Sequence, residues 1–237
     1  MRRAAAGGEG GEERRVPRTD DVSPERDHTD RFRPVPAEER AAARAAVCLP
    51  SDRSVVLHYG WSWRLKGGDL LCAAIGELRR RGIAVTAVTV GAGAEAEADA
   101  RPFGIHDQLV SLPPAENVER LLAASDVFAL PSRAEGGNPP LAVLEALASG
   151  VAVVAGDIPG QTLGDEFAAY RVVPLEPRSL ADGIEAQLDA TGEARAAARA
   201  YVEAERSLTA WAARMHALYD AILLRQPLTA SAPSGGR

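Results

Sequence analysis

Six short apolar runs, alternating with stretches of helical composition, constrain this chain more than any other feature. They are SVVLHYG (54–60), IAVTAVTVG (83–91), DQLVSL (107–112), DVFALPS (126–132), VAVVAG (151–156) and YRVVPL (170–175). Several are continuously apolar rather than alternating, the pattern of strands covered on both faces, and so they read as parallel strands. Between them, KGGDLLCAAIGELRRRG, ENVERLLAAS, PPLAVLEALASG and RSLADGIEAQLDA place apolar residues three and four apart, and several end at Gly, as helices do. Strand, helix, strand, repeated, predicts right-handed crossovers and an α/β doubly wound parallel sheet, a single Rossmann-like domain.

The chain flanking this core has a different composition. Residues 1–34 are Gly, Glu, Arg, Asp and Pro with almost no large apolar side chain, which predicts a disordered tail or linker. The folded domain is expected over 35–225, opening with the alanine-rich AEERAAARAAV and closing with one long helical stretch, EARAAARAYVEAERSLTAWAARMHALYDAILL. Residues 226–237 are expected to be a second disordered tail.

Charge and cysteine content narrow the function. A formal net charge of -6 and a pI near 5.4 argue against a nucleic-acid or anionic-membrane surface, because phosphate backbones select for concentrated Lys and Arg. Cys48 and Cys72 are too few for a disulfide framework or a zinc site, and the four histidines include no pair at helical metal-site spacing. The expectation is a soluble protein of the reducing cytoplasm, without a secretory signal, transmembrane segment or metal.

In an open α/β sheet, ligands gather beyond the carboxyl ends of the strands, so the loops that follow strands carry the chemistry. GWSWRLKGG, Gly60 to Gly68, puts Arg64 and Lys66 beside a helix start, where unpaired N–H groups favour an anion. Taken alone, this loop reads equally well as a phosphate site or as two surface charges. GAGAE, Gly91 to Glu95, is a glycine-rich loop without G-x-G-x-x-G spacing and carries little by itself. In EGGNPPLAVLEALASG, Gly136, Gly137 and Asn138 can present backbone N–H groups ahead of a helix begun by Pro139 or Pro140, with Glu145 inside an otherwise apolar helix. On an arbitrary helix Glu145 would be a solvent-facing residue, and it gains meaning only from the loops sharing its sheet edge.

Together these stretches resemble the C-terminal half of GT-B glycosyltransferases of the group 1, retaining type. The resemblance runs from about Asp27 to the helix near Leu224 and is most specific at S-x-x-E-G…E-A-x-A-x-G, Ser132 to Gly150, with Lys66-Gly67 in support. It implies a domain that binds a nucleotide-diphosphate-sugar donor for transfer to an acceptor hydroxyl. Arg64 and Lys66 would pair with the diphosphate, and Gly60 would let the donor approach. Glu135 and the Gly136 to Asn138 backbone would meet sugar and phosphates, while Glu145 would accept from the ribose hydroxyls. The catalytic set implied is Arg64, Lys66 and Glu135, with retention through front-face attack as the diphosphate leaves.

Two departures shape the expectation. Nine residues, Gly136 to Leu144, separate the two glutamates, a longer loop than the family's usual one. The resemblance also begins near the family's interdomain linker, so the acceptor half is expected to be missing or supplied by a separate chain. The alternative is a catalytically silent nucleotide-sugar-binding or regulatory module; the related sugar-nucleotide epimerases fit the Ser132 to Gly150 pattern less well. No D-x-D pair lies in the predicted folded region, and two cations plus helix starts suffice for a diphosphate, so neither cofactor nor metal is expected.

Overall fold

The computed structural model describes residues 28–137, 139–159 and 167–223. Six strands form one parallel sheet in the order β3-β2-β1-β4-β5-β6: β1 Ser54–Tyr59, β2 Val85–Val90, β3 Leu109–Leu112, β4 Val127–Leu130, β5 Ala152–Gly156 and β6 Tyr170–Val173. All six predicted runs are strands, each trimmed at one or both ends. β2, β4 and β5 are buried along their whole length, which is why their sequences do not alternate.

Helices cover both faces. α1 (His28–Arg31) and α2 (Ala37–Ala46) precede β1, followed in chain order by α3 (Gly68–Arg80), α4 (Ala94–Ala100), α5 (Val118–Ala124), α6 (Leu141–Ala148), α7 (Pro177–Leu188), α8 (Gly192–Tyr201) and α9 (Leu208–Leu223). Leu71, Ile75 and Leu78 of α3 join Leu180 and Ile184 of α7 in a core on one side of the sheet. Leu121, Leu122, Val143, Leu147, Ala198 and Phe128 form the core on the other. At about 25 cal/mol per Å² of apolar surface removed from water, these two layers are the main stabilising contribution to the fold.

Three expectations are corrected here. The folded part begins inside the stretch read as a tail: Phe32 is 1% exposed in the core and its carbonyl accepts from Arg199 at 2.9 Å, while Arg31 donates to Glu119 at 2.8 Å. The Gly91 to Glu95 loop is shorter than read, because α4 starts at Ala94 and buries Ala96 and Ala100. The long closing helix is broken at Ser207, where a π-helical turn, Val202–Arg206, ends and the Ser207 hydroxyl accepts from the Ala210 N–H at 3.1 Å to start α9. Residues 1–27 and 224–237 lie outside the described residues, as does Asn138.

α9 buries none of its residues, and Trp211, Tyr219 and Ile222 are more than half exposed. Among the described residues no helix is long and apolar enough to cross a membrane, and no group of three or more His, Cys, Asp or Glu is placed to hold a metal ion.

Candidate functional site

The sheet order turns at its centre. From β1 the chain winds outward through β2 and β3, then returns to lay β4 on the other side of β1, pairing Val56 with Val127 and Leu57 with Phe128. Consecutive crossovers leave in opposite directions from this pair, so a crevice opens beyond its carboxyl ends. The two loops that meet there are Gly60 to Gly67 after β1 and Pro131 to Pro140 after β4.

They are fastened together. Lys66 Nζ donates to Glu135 Oε1 at 2.6 Å, with both side chains largely buried. The Arg133 N–H donates to the Leu65 carbonyl at 2.8 Å. The Arg133 guanidinium donates to both Asp69 carboxylate oxygens, at 2.8 and 2.9 Å, and to the Arg64 carbonyl. Arg133 offsets the burial of Asp69 and holds its carboxyl below the usual range. Gly67 sits at φ 74°, and a Cβ there would land on the Pro131 carbonyl oxygen, so only glycine lets the two loops approach this closely. At Gly60 a Cβ would meet that of Ala92 at 2.8 Å, which gives glycine a packing reason at this position.

A cavity of about 410 Å³ lies over the joint, lined by Tyr59, Trp61, Lys66, Leu130, Glu135, Gly136, Gly137, Pro140, Leu141 and Ala142. Lys66 is the cation in that lining. Arg64 is not part of it: its side chain is 66% exposed and its guanidinium pairs with Asp69 at 3.1 Å and Asp99 at 3.2 Å. Leu141 also lines an adjoining cavity of about 420 Å³, bounded by Phe32, Leu144, Glu145, Trp211 and others from α1, α6 and α9. Glu145 therefore faces the second cavity, and the structure brings Lys66, Glu135, Gly136 and Gly137 together in the first.

Glu145 is half-buried, and among the described residues its carboxylate accepts no hydrogen bond. Burial pushes its pKa up to about 7, with Arg31 pulling down and Glu119 pushing up. It is a carboxylate without donors, next to a cavity that a donor-bearing ligand could enter. Tyr59 has a buried hydroxyl with no partner among the described residues, and burial, with Glu145 nearby, pushes its ionisation well above the ordinary phenol range. His58 sits under the Gly60 to Gly67 loop. Burial lowers its pKa to about 4, so the ring is neutral at pH 7, with Nδ1 bonded at 3.0 Å to the Ala129 carbonyl and Nε2 without a partner among the described residues.

Tyr59, Trp61, Asp69 and Arg133 belong to this region without being among the residues that the sequence motifs point to. The Asp69–Arg133 pair spans 64 residues, and no local pattern announces it. For Trp61 a usable signal exists: an aromatic five residues before a lysine in a loop that follows a strand.

A doubly wound parallel sheet, with glycine-bearing loops and Lys66 at its switch point, defines a Rossmann-like domain. Residues 53–190 match the family described as Glycosyl transferases group 1, and the chain belongs to that family. It is 32% identical over 197 residues to the D-inositol 3-phosphate glycosyltransferase of Segniliparus rotundus, covering 78% of this chain and 43% of that protein. It is 38% identical over 138 residues to the GDP-mannose-dependent alpha-(1-6)-phosphatidylinositol monomannoside mannosyltransferase of Mycolicibacterium smegmatis, covering 54% of this chain and 36% of that one. A solved glycosyltransferase from Rickettsia africae shares the fold with a TM-score of 0.72 at 19% identity, over 82% of this chain and 55% of that one. The chain thus spans well under two thirds of the length of these relatives.

Proposed function

We propose that this domain is the donor-binding part of a retaining glycosyltransferase that takes a nucleoside-diphosphate sugar. The observation that carries the reading is the joint at the switch point, where Lys66 stands on Glu135 beneath an open cavity and the partnerless Glu145 faces the adjoining one. Lys66 and the N–H groups of Gly136 and Gly137 meet the diphosphate, with the start of α6 adding its positive end. Glu145 accepts from the two ribose hydroxyls, which supply the donors its carboxylate lacks. Arg64 joins the diphosphate only by leaving Asp69 and Asp99, so it contributes less than Lys66. A GDP-mannose-dependent relative supports the substrate class.

In transfer, an acceptor hydroxyl oxygen bonds to the anomeric carbon on the face from which the diphosphate departs. The carbon–oxygen bond to the diphosphate breaks, the hydroxyl proton passes to a phosphate oxygen, and Lys66 stabilises the charge that develops there. No metal is required for this assignment, since Lys66 and the backbone donors meet the phosphates directly. The acceptor must be held in attack geometry by a second wall, and effective molarities of order 10⁵–10⁸ M depend on such positioning. A further domain or a separate chain supplies that wall, and the exposed apolar residues of α9 are available to it.

Calorimetry with UDP, GDP and the corresponding nucleosides, followed by incubation with sugar nucleotides and mixed acceptors, tests the reading. The isolated chain is expected to bind a nucleoside diphosphate more tightly than the nucleoside and to transfer no sugar. Equal affinity for nucleoside and diphosphate would overturn the phosphate site, and robust transfer by the chain alone would overturn the requirement for a second wall.

A further inference from the structure

Two tryptophans stand on either side of Ser62 in the loop after β1, and the fold uses them differently. Trp63 is 1% exposed: its indole N–H donates to Asp99 at 2.7 Å, and its ring meets His58 edge-on at 5.8 Å. It anchors the loop to the body of the domain. Trp61 is 45% exposed, lies over Tyr59 with ring centroids 4.9 Å apart at 23°, and shares its cavity with Lys66, Glu135 and Gly136. One face of its indole is packed, and much of the ring remains open to solvent.

The separation is made at Ser62, whose φ of 62° lies in the left-handed region that L side chains rarely adopt. Backbone strain of this kind persists where surrounding contacts fix it, and it concentrates at ligand-contacting segments. Here the contacts are those of Trp63 below and of the Lys66 N–H, which donates to the Ser62 carbonyl at 3.0 Å. The turn presents an indole at a cavity that already holds a cation.

We infer that Trp61 is the wall on which the sugar ring of the donor stacks, and so a residue that sets preference for a sugar nucleotide over the bare nucleoside diphosphate. This rests on the donor-site reading above. The choice of the sugar follows from placement. With the ribose at Glu145 and the diphosphate at Lys66, the cavity shared by Trp61, Lys66 and Glu135 lies at the phosphate end, and Glu145 belongs to the adjoining one. What extends past the phosphates there is the sugar. Its C–H groups present an apolar, weakly positive surface to the negative face of the indole, while its hydroxyls reach Glu135 and the Gly136 backbone.

The test measures UDP, UDP-glucose, GDP and GDP-mannose by calorimetry against the parent, Trp61→Ala and Trp61→Phe, with thermal unfolding of each variant. Trp61→Ala is expected to lose roughly tenfold in affinity for whichever sugar nucleotide the parent prefers, with the matching diphosphate changed by less than about twofold. Trp61→Phe keeps a ring on Tyr59 and is expected to retain most of the affinity while losing most of the ligand-dependent change in tryptophan fluorescence expected of the parent. Equal losses for diphosphate and sugar nucleotide would mean that the indole stacks on the base or merely shapes the loop, and would overturn the inference. Unchanged affinity for both would overturn it as well. A parent that binds none of the four compounds would instead remove the donor-site reading, and this inference with it.

Discussion

The two edges of the sheet treat their charges in opposite ways. At the amino-terminal edge, Asp126 just before β4 receives Arg40 at 2.5 Å, Arg44 at 2.6 Å and the Val55 N–H at 2.7 Å. Arg195 bonds the Asp126 carbonyl at 2.9 Å. That cluster is closed: each group meets another, and it ties α2, α8, β1 and β4 together. At the carboxyl edge, Lys66 gives one hydrogen bond to Glu135 and faces a cavity, while Glu145 accepts none among the described residues. The charged groups of the first edge are enclosed by helices and strands, whereas at the second the Lys66–Glu135 pair lines a cavity and Glu145, among the described residues, accepts no hydrogen bond.

The comparison can be broken most directly at Asp126. Asp126→Ala strands two arginines and is expected to cost about 3 kcal/mol of stability, toward the low end for a broken ion cluster because the carboxylate is 27% exposed. Denaturant unfolding measures this, and ligand affinity of the folded fraction should not change. A loss below about 0.5 kcal/mol, typical of an ordinary surface substitution, would erase the contrast.

Lys66→Ala tests the other edge. It should weaken a nucleoside diphosphate by about 1.5–3 kcal/mol, the range for hydrogen bonds to charged groups, while the nucleoside is nearly unaffected. Arg64→Ala, already shared between Asp69 and Asp99, should cost less than half of that. The opposite ranking would move the phosphate site to Arg64.

Glu145 gives a smaller effect, one that depends on pH. Its folded pKa of about 7 stands above the ordinary carboxyl value, so the folded state binds its proton more tightly than the unfolded state does. Stability from this group is therefore present at low pH and is lost as pH rises from about 4.5 to 7. The parent's melting temperature should fall over that window relative to Glu145→Gln. Nucleotide affinity should move the other way, rising through pH 7 as the carboxylate becomes an acceptor, and the variant should show neither trend. A variant that tracks the parent in both measurements would make Glu145 a solvent-facing residue after all.

The strands were legible because burial on both faces writes itself as unbroken apolar runs, and the loops of interest followed once the strands were placed. α4 was hidden because AEAEADA, seven residues after a glycine-rich turn, has too little apolar content to show a helical period. Phe32 was hidden because a single aromatic among charges leaves no pattern. Lys66 and Glu135 could be nominated from sequence, but not their contact, which depends on two loops 69 residues apart meeting at the turn of the sheet. Arg64 illustrates the limit: charge and position in the loop nominated it as well as Lys66, and only Asp69 and Asp99, one at a helix start and one on another helix, decide where it points.

The central pairing of β1 with β4 has a bearing on how the molecule comes into being. β1, β2 and β3 are neighbours in sequence order and can zip together early, whereas Val56 must wait for Val127. Closing a loop of that length is slow compared with local pairing, and nascent chains emerge at roughly 5–20 residues per second. During synthesis β1 therefore spends several seconds with one edge unpaired, the state in which a strand is most open to wrong partners. The crevice at that junction cannot exist before β4 and the loop after it have left the ribosome, so capture of a nucleotide there, if the proposed function holds, would report that β1 has found β4.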